Sequence, residues 1–343
     1  LIDPEAASRL AIAEALTNLV WAPLQNKLKG VSLSANWMWP AKNKGENARL
    51  YSAVKAISDF AIELGINIPT GKDSLSMTQK YPDGKIVYSP GTVIISAVGE
   101  VTDIRKSVTP TLKRKANTKI IYIDFSKSNH ELGGSSLAQT INILGKRTPD
   151  VTDANYFARA FDTVQQLISS GKILAGHDIS AGGLITTLLE MNFPNYDYGL
   201  DISIEGLKNQ DIIKSMFSEN PGVVIQIENE DETVRILKEN YLHFHVLGSV
   251  IPEFIIKIEQ QGKTHILDIE RLRDVWFETS YMLDRVQSGE GHAHCRFKNY
   301  KRQDLTYQFK QSFSGKASSY GIDLSRRVKS GVKAAIIREK GVN

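Results

Sequence analysis

The stretch GHDISAGGL, Gly176 to Leu184, lies between the apolar run Ile173–Ala175 and the apolar segment that continues to Phe193. It reads as a strand, ILAGHDIS, turning through Gly182 and Gly183 into a helix, AGGLITTLLEMNF. His177 and Asp178 are adjacent, so on a strand their side chains point to opposite faces, which does not fit a Ser-His-Asp triad with Ser180. Asp178 and Ser180 stand instead at a strand end, where ligands collect in α/β sheets. Gly182 and Gly183 leave room for a phosphate at the helix start. The stretch therefore predicts an oxygen ligand beside a phosphate-binding turn, with His177 as a core histidine or one supporting Asp178.

Around it, strands alternate with helices. KIIYIDF (119–125), GVVIQIE (222–228) and HFHVLGSVI (243–251) read as strands, and 154–170 and 231–240 as helices. That alternation predicts an α/β layer structure. The first hundred residues form a separate α+β pattern. A helix runs from Pro4 to about Leu24 with Asp3 as N-cap and Pro4 in its first turn. Strands follow at 30–39, 68–77 and 92–101, with a turn at 81–85, and a helix over 47–64 is stopped by Gly65. The polar, basic segment 102–118, containing Pro110, is the domain boundary. From about Gln287 the text is polar and irregular through Gly331, and an apolar run then begins.

With 343 residues the chain has room for two ordinary domains. Its net charge of +4 is too small to argue for nucleic acid, and the basic residues near the end (Arg326, Arg327, Lys329, Lys333, Arg338, Lys340) lack interleaved aromatics. No run approaches the ~20 apolar residues that span a membrane, and no signal peptide is evident. The lone Cys295 excludes an internal disulfide and fits a reducing cytoplasm. His292, His294 and Cys295 lack zinc-ligand spacing and read as polar linker. A start on Leu1 rather than Met leads us to expect a piece excised from a longer protein.

Three further stretches bear on chemistry. Glu14 is the only charged residue of LAIAEALTNLVWAPL (10–24), and Asn18 lies one turn further on the same face. A lone carboxylate among apolar neighbours needs a partner or a metal. The pair suits Mg²⁺, which takes a few oxygen ligands and keeps water and phosphate; a salt bridge from Glu14 to a distant arginine is the alternative. In PTGKDSLSM (69–77), Gly71, Lys72, Asp73 and Ser74 could approach a phosphate, or form a turn with a solvated lysine. GGSSLAQ (133–139) opens a helix either as an anion site or with an ordinary serine N-cap.

Together AEALTNL, LSANWMW, IPTGKDSLSM, GGSSLAQ, HDISAGGL, GVVIQI, RDVWFETSYML and the terminal IIREKGVN resemble, in order and spacing, the large single-chain form of phosphoribosylformylglycinamidine synthase. This is an ATP- and glutamine-dependent ligase of purine biosynthesis. The resemblance spans essentially the whole chain. It implies the second of two homologous synthetase halves, each an α+β domain that shares a β-barrel with its counterpart, followed by an α/β domain. The fold class is thus α/β (α+β), of the aminoimidazole-ribonucleotide-synthetase-like type. The implied divisions are 1–108 (barrel-forming domain), 109–286 (α/β domain), 287–331 (linker) and 332–343 (first strand of a glutaminase domain).

The resemblance also implies an auxiliary ADP with Mg²⁺ that is held rather than turned over. Its Mg²⁺ ligands would be Glu14, Asn18 and Asp178, with Ser180, Gly182 and Gly183 at the nucleotide and a further aspartate ligand upstream of Leu1. Gly71, Lys72 and Ser74 would contribute to an ATP- and formylglycinamide-ribonucleotide-binding active site across the half–half interface. Lys72 replaces an asparagine metal ligand of the small form, and Ala181 stands where an aspartate is common. The implied partners are the first synthetase half and the glutaminase domain of the same chain, and neither nucleic acid nor membrane. The isolated segment would be inactive, and it could homodimerise to cover its barrel surface. A non-catalytic nucleotide-binding scaffold, or another ATP-dependent superfamily member, is the alternative.

Overall fold

The computed structural model describes residues 2–207, 211–302, 308–310, 312–329, 331, 333 and 335. Helix α1 (Pro4–Leu19) begins as the sequence demands: Asp3 accepts hydrogen bonds from the N–H groups of Glu5 and Ala6, and Pro4 opens the helix. It ends five residues before Leu24. Ala22 precedes Pro23 and is disfavoured from helical dihedrals. The freed carbonyls of Val20 and Ala22 accept from Gln165 Nε2, while Leu24 N–H donates to Gln165 Oε1 at 2.8 Å.

Strand β1 (Val31–Met38) leads to α2 (Glu46–Leu64), which Gly65 terminates in the left-handed conformation. Then come β2 (Asn67–Ser74), the hairpin β3 (Thr78–Lys80) and β4 (Ile86–Tyr88), and β5 (Thr92–Gly99). β1 is central in a small sheet, parallel to β2 and antiparallel to β5. Leu33 and Ala35 point inward to the core, whereas Ser34 is exposed. On β5, Ile94 and Val98 are exposed, giving this sheet an outer face without a covering layer among the described residues.

Residues 104–118 are strapped to the body: Val108 N–H donates to Trp21 O, Gly176 N–H to Thr109 O, and Leu112 is buried. β6 (Lys119–Asp124) follows, then α3 (Ser136–Thr140), α4 (Ala154–Ser169), β7 (Ile173–Asp178) and α5 (Gly183–Asn192). Next are β8 (Gly199–Ser203), α6 (Ile212–Phe217), β9 (Gly222–Ile227), α7 (Glu230–Glu239) and β10 (Phe244–Ile251). β11 (Ile255–Gln260), β12 (Lys263–Asp268), α8 (Ile269–Ser288) and α9 (Glu290–Asn299) complete this unit.

The large sheet has the order β12-β11-β8-β10-β6-β9-β7. Only β8 and β11 run parallel, so the rule for open parallel sheets does not explain why a site should form at the end of β7. Central strands β6 and β9 are buried on both faces, and their side chains alternate between two cores. Ile121, Ile123, Val223 and Ile225 join Phe157 and Phe161 of α4. Ile120, Tyr122 and Val224 meet Leu184, Leu188 and Met191 of α5.

The first core also contains Ile12, Leu16, Leu33 and Phe60, so the two sequence units share one apolar interior. Phe60 meets Phe157 edge to face with centroids 6.1 Å apart, and Arg9 forks onto Asp150 at 2.8 and 2.7 Å.

The segment read as irregular from Gln287 contains α9. Stacking of Phe297 on Tyr281 (4.7 Å) and the bidentate Arg296–Asp284 pair hold it to α8. Cys295 is exposed on α9. The separate unit from Tyr307 onward has a short 3₁₀ turn, Ala317–Tyr320, and a Phe309–Phe313 stack. The expected strand in 332–343 lies largely outside the described residues, as do Arg338 and Lys340.

Candidate functional site

A cavity of about 560 Å³ opens between α1, the approach to β5, the 133–149 loop and the β7–α5 turn. Glu14, Thr92, Gly133, Gln139, Ser180 and Glu219 are in its wall. α1 delivers Glu14 because Ile12, Ala13 and Leu16 bury the opposite face. Glu14 is exposed rather than buried among apolar neighbours, which corrects the expectation from the sequence. The surrounding atoms still remove much of its hydration, and the charges of Asp178 and Glu219 add to this. All three effects raise its pKa above the ordinary carboxylate value.

Asp178 is 5% exposed at the end of β7. Its backbone carbonyl accepts from Thr187 Oγ1 at 3.0 Å, fixing the strand end to α5. Its Oδ2 is buried without a hydrogen-bond partner. A buried, unpaired carboxylate oxygen is costly unless a cation or donor reaches it. His177 Nδ1 is 3.4 Å from Asp178 Oδ1, and Nε2 is 3.5 Å from Glu190 Oε2. Burial opposes a charge on His177, but the hydrogen bonds to Asp178 and the two nearby carboxylates outweigh it and raise the pKa. No lysine or arginine among the described residues pairs with Glu14, Asp178 or Glu219.

Asn18 is exposed, lies outside the cavity wall and uses its Nδ2 to donate to Glu14 O at 2.9 Å. Among the described residues, no group of three or more His, Cys, Asp or Glu side chains can by itself hold a metal ion. Mg²⁺ needs fewer protein ligands because it retains water. The unpartnered Asp178 oxygen and the crowded Glu14 carboxyl fit such an ion chemically. His292, His294 and Cys295 form no metal group.

The glycines of the opening stretch have packing reasons. A Cβ on Gly176 would lie 2.1 Å from the Trp21 ring. Gly183, at φ +74°, has the backbone of Met216, Phe217 and Ser218 within 2.7–2.8 Å of where a Cβ would stand. Its N–H donates to Ser180 O at 3.0 Å. Gly182 N–H donates to Glu219 Oε1 at 2.8 Å, as does Ser136 N–H. The amides predicted to meet a phosphate are thus already in use. Ser135 is an ordinary N-cap, accepting from Ala138 N–H.

Sequence reasoning missed Glu219. It sits between a short helix and a buried strand, where the polar run Ser218–Asn220 before Pro221 is the one local signal.

Gly71, Lys72 and Ser74 lie on β2, the edge of the small sheet, away from this cavity wall. Lys72 Nζ donates to Ser74 Oγ at 2.7 Å and to Asp73 O at 3.1 Å. Gly71 meets only Trp37 and Ala35 at ordinary distance, so no close approach demands a glycine there.

The comparisons agree with this architecture. A sequence profile described as the FGAR-AT PurM_N-like domain matches residues 1–100, and one described as the AIR synthase related protein, C-terminal domain, matches residues 118–259. Thermotoga maritima PurL complexed with FGAR superposes with a TM-score of 0.58 at 12% identity, covering 79% of this chain and 43% of that one. Residues 1–100 and 118–259 thus pair an FGAR-AT PurM_N-like domain with an AIR-synthase-related C-terminal domain.

The probable phosphoribosylformylglycinamidine synthase of Arabidopsis thaliana, named as chloroplastic/mitochondrial, is 39% identical over 349 aligned residues, covering 100% of this chain and 24% of the relative. The human phosphoribosylformylglycinamidine synthase is 37% identical over 295 residues, covering 84% and 22%. The chain is thus similar to part of these phosphoribosylformylglycinamidine synthases, and it spans about a quarter of their length.

Proposed function

We propose that this chain is the second synthetase-like half of a phosphoribosylformylglycinamidine synthase, holding an auxiliary Mg²⁺–ADP in the 560 Å³ cavity and completing an active-site interface with the first half. The observation that carries the nucleotide assignment is the unpartnered, buried Asp178 Oδ2 within electrostatic reach of Glu14, with no lysine or arginine among the described residues paired to either. Glu14 and Asp178 would hold the cation, with Asn18 one turn further along α1, and Ser180 would contact the phosphates. Bound there, Mg²⁺ would neutralise carboxylate and phosphate charge together. Gly182 and Gly183 shape the turn by packing, and their N–H groups donate to Glu219 Oε1 and Ser180 O.

In the whole protein, ATP would phosphorylate the amide oxygen of formylglycinamide ribonucleotide, and ammonia released from glutamine would displace the phosphate. Such transfers rely on positioned cationic groups. Gly71, Lys72 and Ser74, on the edge strand β2, would face the partner half. The outer face carrying Ile94 and Val98 suits the homologous half, or a second copy of this chain. Residues 1–108 and 109–286 would be the two synthetase domains, 287–331 the linker, and 332–343 the start of a glutaminase domain. No described helix is long and apolar enough to cross a membrane, and the exposed Cys295 suits a reducing compartment such as the cytoplasm.

Thermal denaturation with ADP, with and without Mg²⁺, tests the nucleotide assignment. A ligand specific for the folded state at a hundred times its Kd adds about 2.7 kcal/mol. Mg²⁺-dependent stabilisation, reduced in Glu14→Ala and Asp178→Ala, is expected. An equal response in wild type and both variants would remove these residues from the site.

A further inference from the structure

The glycine-rich turn at 182–183 invites a phosphate, yet the structure fills its hydrogen-bonding position from within. Glu219 Oε1 accepts from Gly182 N–H and from Ser136 N–H, both at 2.8 Å, and so bridges the turn before α5 and the 133–136 loop. The carboxylate is held there firmly. Its neighbour Asn220 is buried and donates through Nδ2 to Ser126 Oγ, Ser128 Oγ and Asn129 O at 2.9–3.2 Å. On the other side, Ser218 Oγ donates to Glu131 O at 3.0 Å. The 216–218 backbone lies directly against Gly183, which places the Glu219 segment over the turn.

Glu219 also faces the cavity that Glu14 and Ser180 line, and its charge adds to those of Glu14 and Asp178; among the described residues no lysine or arginine pairs with any of them, and His177 lies against Asp178. The buried Asp178 Oδ2 lacks a partner, so this region is short of positive charge before any ligand enters.

We propose that Glu219 is a built-in anion: it takes the two amides a phosphate would use, so that a nucleotide enters only with a divalent cation and is held on the Glu14–Asp178–Ser180 side. This rests on the nucleotide reading above. A phosphate arriving without a cation meets the Glu14 and Glu219 carboxylates in the cavity wall, with the charge of Asp178 nearby, and finds the amide pair occupied. With a cation, the same carboxylates become attractive. Glu219 is thus a specificity-determining residue that makes binding metal-dependent.

The test is calorimetric titration of the full chain with inorganic pyrophosphate in EDTA, and with ADP in the presence and absence of Mg²⁺. Wild type should bind metal-free pyrophosphate only weakly. Glu219→Ala, which frees both amides and removes a like charge, should bind pyrophosphate at least about tenfold more tightly than wild type. Glu219→Gln keeps an oxygen for the two N–H groups and removes only the charge. It should lower the ratio of metal-free to Mg²⁺-bound Kd for ADP by about tenfold, and it serves if the alanine variant does not fold.

Unchanged pyrophosphate affinity in a folded Glu219→Ala protein, or an unchanged Kd ratio in Glu219→Gln, would overturn the role given to Glu219. Failure of wild type to bind Mg²⁺–ADP at all would overturn the nucleotide reading instead, while the pyrophosphate comparison still reports on Glu219.

Discussion

Replacing Gly183 by alanine separates the packing explanation of the glycine-rich turn from the phosphate explanation. Gly183 has φ +74°, and its added Cβ would lie 2.7 Å from Met216 O, 2.7 Å from Phe217 C and 2.8 Å from Ser218 O. These are backbone atoms, so no side-chain rotation relieves the overlap. The left-handed conformation costs about 1–2 kcal/mol for a residue with a Cβ, and overpacking adds about 1–3 kcal/mol. The expected loss is therefore about 2–5 kcal/mol.

Gly262, in the β11–β12 turn, is the internal control: its φ is +70°, but nothing lies within 4 Å of the added Cβ. Gly262→Ala should lose only the conformational part, about 1–2 kcal/mol. In a ligand-free thermal melt, Gly183→Ala should fall below Gly262→Ala by roughly 2–12 °C, at roughly 2–4 °C per kcal/mol for a unit of this size. Equal losses in the two variants would refute the close packing of the turn against residues 216–218.

Other outcomes follow from named contacts. Gln165 is fully buried and joins α4 to both carbonyls and the N–H of the 20–24 linker. Gln165→Ala should cost about 2–4 kcal/mol, read by urea denaturation, because several backbone groups lose their partner at once. Asp153 caps α4 and is held below the ordinary carboxylate pKa, chiefly by its hydrogen bond from Lys127 and then by Tyr156 N–H. Its stabilising contribution is present above the unfolded-state pKa and is lost as pH falls through the depressed folded value. Asp153→Asn, which can still cap, should therefore cost under about 1 kcal/mol at neutral pH, and the difference should vanish in acid melts. The isolated chain given ATP, ammonium and formylglycinamide ribonucleotide should yield no formylglycinamidine product by chromatography; measurable turnover would contradict its assignment as one half of a catalytic unit.

Much of the fold was legible because local and global signals agreed. Asp3 and Pro4 mark the start of α1, Gly65 marks the end of α2, and Tyr81–Lys85 marks a hairpin turn, each by mechanisms confined to a few residues. What sequence reasoning overlooked depended on distant partners. The edge strand β12 is mostly exposed and carries little apolar alternation, and β8 is five residues long. Val275, Met282, Leu283 and Val286 of α8 are exposed, which blurs the apolar stripe that would announce a helix. α9 is held by an arginine fork and ring stacking rather than by a buried face.

At the site, Glu14, Asp178 and Ser180 were legible as oxygen-bearing groups in unusual settings. Glu219 was not, because its two amide donors come from loops 37 and 83 residues away. The glycines stood out in the sequence, and backbone packing and the Trp21 ring account for glycine at Gly183 and Gly176.

The most direct measurement is an electron paramagnetic resonance titration with Mn²⁺ standing in for Mg²⁺, in the presence of ADP. Wild type should remove one equivalent of the free Mn²⁺ signal only when both ADP and protein are present, whereas Asp178→Ala should leave that signal at the level set by ADP alone. Equal Mn²⁺ uptake by wild type and a folded Asp178→Ala protein would contradict the assignment of this cavity as a metal–nucleotide site.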